Sequence, residues 1–349
     1  MIDFWWRMRL WLRTRKRHAV VVVLFALSAG VVAIVAVTQP SVKITMDAQV
    51  DEVDFLTADS ASIGFGEMGV RRLVGEGLST LRTTEFVGQT KRVVVKHYDA
   101  AAVRIPPEAP QTQALDLGAV AIAAGSRLIL QSMPPTRDKA IDKTGVVLSS
   151  PVVLALDYFG TLGMSVDHEQ DDLRRDTELG VDGIVVLESA SSALNLTLET
   201  NRGERCILCT SIKAQPRTLS LRRYDPLRSE DVIAKADGSS RLLVAGGSVS
   251  FVDYKSRNID EVDNDRVFYL KAQALTVRRI VKTDSGKLRV QFDASVERLD
   301  EEHSGERRDL MPDGLELIAQ SNLARAWAAT LSVFAALKAF LAFWRSSSR

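Results

Sequence analysis

The sequence predicts a mainly β domain, an antiparallel sandwich or barrel-like fold, flanked by an N-terminal and a C-terminal transmembrane helix. Three observations predict it. Two long apolar runs lie near the chain ends. Between them, apolar and polar residues alternate in many short runs, the pattern of half-buried strands. All five Trp fall in or beside the apolar runs, and none falls in residues 38–322.

Residues 1–18 are a basic, aromatic leader. Six bases and one acid give it and the run that follows a net charge of +5 over residues 1–37. Trp5, Trp6 and Trp11 are expected at a membrane–water boundary, where amphipathic rings settle. Phe4, Trp5, Met8, Trp11 and Leu12 recur at helical spacing, as in an interfacial helix. A leader that only orients the chain is the alternative.

Ala19 to Val37 holds 19 residues without a charge. As a helix it is about 28 Å long, close to a hydrocarbon core of roughly 30 Å. Bases precede it, whereas residues 38–60 hold one base and five acids. The positive-inside rule therefore places residue 1 in the cytosol and residue 38 outside. A cleaved signal peptide would be shorter and would end in an A-x-A-like site. Ile34-Val35-Ala36 is a poor one.

Residues 38–322 are expected to form the extracytoplasmic domain. Val42, Ile44 and Met46 alternate with Lys43, Thr45 and Asp47. Similar runs recur at 91–98, 115–123, 126–132, 151–158, 183–189, 192–200, 241–254 and 266–282. The clearest hairpin pairs Arg266–Lys282 with Lys287–Leu299 across Thr283-Asp284-Ser285-Gly286, which carries turn chemistry. A second turn is expected at Phe159-Gly160. Gly69–Leu81 reads as a helix weakened by Gly75 and Gly77. A subdomain boundary is expected near 133–145. The charged stretches Asp167–Glu178 and Asp300–Asp313 read as solvated loops.

Residues 323–345 are expected to form a second span, followed by the short tail 346–349. Ala326 to Trp344 holds one charge, Lys338, and is bracketed by Trp327 and Trp344. Both chain ends would then be cytosolic. Each run carries a stripe of small residues: Ala26, Gly30 and Ala33 in the first, and Ala328, Ser332, Ala335 and Ala339 in the second. Such stripes let helices approach closely in lipid.

Charge bounds the partners. Residues 323–349 carry +4, so subtracting both ends from the total of +1 leaves −8 in residues 38–322. An acidic middle argues against nucleic acid, which needs a basic surface. Membrane lipid and a protein partner or homo-oligomer are expected instead. With 32 Arg against 13 Lys, the chain suggests a GC-rich bacterial genome and an inner-membrane location.

Little in the sequence carries chemistry. There is no P-loop, no dinucleotide fingerprint and no nucleophile elbow, and no cofactor is expected. Cys206 and Cys209 form a C-x-x-C, the motif of redox sites and zinc sites. RGERCILCTSIK reads as extended, which would hold the two Cα atoms about 10 Å apart. A disulfide needs less than about 7 Å, so the pair bonds only if a turn lies there. Zinc would need two further ligands with a companion spacing. Asp167 and His168 form the one His–carboxylate cluster, a candidate metal ligand or general base inside a charged run. The expected function is a non-enzymatic envelope scaffold or protein-interaction module. A lipid- or carbohydrate-binding module is the alternative, and an extracytoplasmic hydrolase the lesser one.

Overall fold

A computed structural model describes residues 41–64, 70–87, 90–105, 116–133, 140–149, 151–166, 175–189, 193–223, 239–262 and 266–313. Both expected spans, the leader and the Trp residues lie outside these residues. Among the described residues no helix is long and apolar enough to cross a membrane.

The chain is mainly β. Its strands are β1 (Val42–Val50), β2 (Glu52–Leu56), β3 (Ala61–Gly64), β4 (Val70–Val87), β5 (Thr90–Ile105), β6 (Asp116–Ile122) and β7 (Arg127–Met133). They continue with β8 (Ile141–Leu148), β9 (Val152–Val166), β10 (Arg175–Ser189), β11 (Leu194–Asn201), β12 (Arg205–Leu208), β13 (Ile212–Ala214) and β14 (Ser220–Arg222). The last are β15 (Ser240–Leu243), β16 (Gly246–Phe251), β17 (Ile259–Val262), β18 (Val267–Lys282), β19 (Leu288–His303) and β20 (Glu306–Asp309). The pairings between named strands are antiparallel, apart from β14 with β15. Val42–Met311 form one compact unit.

Alternation builds the core where the ends of this unit meet. β1 pairs β19 over nine residues without a slip, from Val42↔Val296 to Val50↔Leu288. Directly paired residues share a face. Ile44, Met46, Ala48 and Val50 are therefore buried beside Ala294, Phe292, Val290 and Leu288. β16 joins the other edge of β1 and adds Val249 and Phe251. Each fully buried side chain of this size contributes about 1.5–3 kcal/mol. The expected β18–β19 hairpin is present, and Gly286 takes φ +82 in its turn.

Strand pairs also run on through short gaps. β2 with β7 and β3 with β6 keep one register, Leu56↔Arg127 and Ala61↔Ile122. Thr57 fills the gap, fully buried, with its hydroxyl donating to the Ala123 carbonyl at 2.9 Å. β4 pairs β5 and β10, β10 pairs β9, and β9 pairs β5. These four strands close a ring.

Four expectations are corrected. Residues 70–81 are strand, not helix: β4 is held between β5 and β11, and Gly77 takes φ +84 at a bulge. No turn interrupts Phe159-Gly160, because β9 runs on to Val166 against β10. The run 241–254 is broken between β15 and β16. There Gly246 and Gly247 take φ +156 and +140, and a Cβ at Gly247 would lie 1.9 Å from the Asp47 carbonyl oxygen. Asp300–Asp309 is not a solvated loop but part of the β19–β20 hairpin, turning at Ser304 and Gly305. Arg298 and Arg307 pair with Asp300, which is 1% exposed. β7 and β8 pair antiparallel, from Leu128↔Leu148 to Met133↔Lys143.

Candidate interaction face

Register gathers exposed apolar residues on one face of β3, β6, β9, β10, β4 and β5. One row of directly paired residues reads Ser62, Ala121, Val153, Glu188, Thr80, His97. The next reads Ala155, Val186, Arg82, Val95. Ile184 and Val93 lie two residues further along β10 and β5, and so on the same face. The opposite face carries the buried Leu154, Leu156, Val185, Leu187 and Leu81.

Five large apolar residues stand exposed among the described residues, and four of them are here: Val93 at 63%, Val95 at 44%, Val153 at 43% and Ile184 at 62%. The strands' own alternation puts them outward, so they are not casualties of poor packing. Polar groups are spaced among them. Arg82 lies 3.9 Å from Glu188, and the Thr80 hydroxyl lies 3.3 Å from His97 Nδ1. Exposed apolar side chains interspersed with polar ones on a single sheet face are a physical mark of a binding face.

β4 runs along one edge of β5, but β9 meets the other only at Ala101–Arg104. Among the described residues, 90–100 have no strand on that second edge.

The cysteines form a disulfide, with Cα atoms 5.7 Å apart. The extended reading is thereby corrected: register slips between Cys206 and Leu208 against β18, and this bulge draws the two residues together. Cys209 N–H donates to the Gly64 carbonyl at 3.4 Å, tying the bulge to β3.

Two polar sites lie elsewhere. A cleft of about 500 Å3 is lined by Asp47, Gln49, Gly247, Asp260, Glu261 and Arg289. Its one base is engaged, because Arg289 Nη2 donates to Asp47 at 2.6 Å. At the end of β18, Lys282 is 3% exposed. Its amine donates to the Lys143 carbonyl at 2.5 Å and to the Thr144 hydroxyl at 3.2 Å. Burial pulls its pKa down from 10.5, and the charge of Asp142 partly offsets this. Tyr269 is shifted up from 10.0, by burial first and then by its hydrogen bond to Glu302.

Cys206 and Cys209 are brought together. Asp167, His168 and the small-residue stripes lie outside the described residues. No group of three or more potential metal ligands occurs among the described residues. The sequence reading missed the outward face, although β5 (TKRVVVKHY) and β10 (GIVVLES) each hold an apolar triplet that a strand must divide between two faces. No family model, no curated protein and no solved structure matches this chain.

Proposed function

We propose that this protein is a membrane-anchored interaction module of the cell envelope, docking a protein partner on the outer face of β9, β10, β4 and β5. The gathering of Val93, Val95, Val153 and Ile184 on that face carries the reading. The anchor and its orientation rest on the Ala19–Val37 run and the bases before it. The Cys206–Cys209 disulfide supports an extracytoplasmic domain, since cytosolic reductants keep thiols apart. A lipid-binding module draws less support, because the cleft beside Gly247 is lined by polar groups.

The test is gentle detergent purification of the full chain from its host, with mass spectrometry of what accompanies it, beside the variant Val95→Lys/Ile184→Lys. A stoichiometric protein is expected with the unmodified chain and at least about tenfold less with the variant, as for loss of an interface anchor. Retention of the partner by the variant, or purification with no protein partner, overturns the proposal.

A further inference from the structure

We infer that Cys206–Cys209 is a reversible thiol–disulfide exchange site, opened by a reductant that supplies two thiol groups, with Cys209 the sulfur attacked. The inference stands apart from the docking face. The bond joins residues three apart in sequence, one in β12 and one just past its end, so it links no two strands of the sheet. A loop this short removes little entropy from the unfolded chain, which makes the bond a weak staple. It is also within reach. Cys209 is exposed and Cys206 half-buried, so a reductant meets Cys209 first.

The backbone on either side is held without the bond. Cys206 pairs with Val281 and Leu208 with Ile280 on β18, and Ile207 and Leu208 are buried in the core. On the other side, the Cys209 N–H donates to the Gly64 carbonyl at 3.4 Å and the Thr210 hydroxyl donates to the Ser62 carbonyl at 3.4 Å. These contacts keep the two Cα atoms near their 5.7 Å separation, inside the range a disulfide spans, when the sulfurs are reduced. The thiols therefore stay placed to close again.

Reduction balances as follows. A donor thiolate attacks Cys209 Sγ, the S–S bond breaks, and its electron pair goes to Cys206 Sγ, which takes a proton. A second donor thiolate then attacks the donor sulfur of this mixed disulfide and releases Cys209 as a thiolate, which takes a proton. The donor thiols end as a disulfide, and the protein has gained two electrons and two protons. Exchange with an oxidised donor runs the same steps backwards.

The experiment holds the full chain in detergent, without denaturant, in glutathione buffers of varied reduced-to-oxidised ratio. Free thiols are tagged with a maleimide and read by mass spectrometry, and amide hydrogen exchange follows β1 and β19. Both cysteines should be tagged under excess reduced glutathione and neither after return to the oxidised form, with β1 and β19 protected throughout. In the single variants, Cys209 of Cys206→Ser should form a mixed disulfide at least about tenfold faster than Cys206 of Cys209→Ser, because access governs the rate. A bond that stays closed until the chain unfolds, or a reduced chain that loses β1 and β19 protection, overturns the inference. Equal rates overturn the assignment of Cys209. Cys206→Ser recovered from the host identifies the donor: a protein-sized adduct on Cys209 names a dithiol protein, and a gain the size of glutathione names a small thiol. An unmodified Cys209 there overturns the exchange role.

Discussion

At the scale of single residues, Lys282 shows how a charge is held inside a β structure. A buried ammonium is costly unless its protons find acceptors. Lys282 finds two on β8, and buried Asp142 supplies the nearby opposite charge. Burial still lowers its pKa below 10.5. Between that lowered value and 10.5 the unfolded chain holds more protons than the folded one, so stability rises with pH through the window. Urea unfolding of the unmodified chain and of Lys282→Met should therefore diverge as pH rises toward 10.5. The unmodified chain should gain up to about 1.4 kcal/mol per pH unit relative to the variant inside the window. A difference that is constant with pH would refute a depressed lysine.

At the scale of elements, the bulge in β12 is the informative one. The disulfide closes a loop of only four residues, so its chain-entropy contribution is about 2 kcal/mol. Cys206→Ser/Cys209→Ser should cost that much in urea unfolding, and should loosen the β12 amides in hydrogen exchange. A loss well above that value would mean the bond also holds β3 in place. Elements also explain what the sequence left hidden. β4 carries two glycines that argue against a helix, yet its strand state came from β5 and β11 lying on its two edges. β9 passes through Phe159-Gly160 because β10 pairs it residue for residue. A glycine is a permissive turn signal, and a partner strand overrides it.

At the scale of the whole molecule, the charges are divided as a membrane protein would divide them, with basic ends and an acidic middle. The proposed hairpin topology places both ends in the cytosol. A reporter active only in the cytosol, fused after Arg349, is expected to be active, and one inserted in the 106–115 stretch silent. Activity of an exported-only reporter at Arg349 would overturn the second span.

The sequence by itself determined the β class and the strands whose alternation with period two is written locally, as in runs 42–50 and 194–201. The β18–β19 turn was equally legible, because Asp-Ser-Gly carries its own backbone preference. Tertiary structure alone decided the rest. Whether Val95 belongs to the core or the surface depends on which face β4 and β10 share with it, and that register joins residues far apart in the chain. Asp300 reads as solvated until Arg298 and Arg307 close on it. Cys206 and Cys209 read as too far apart until β18 imposes a slip. In each case a local pattern sets what a segment can be, and non-local pairing chooses which of its faces meets water.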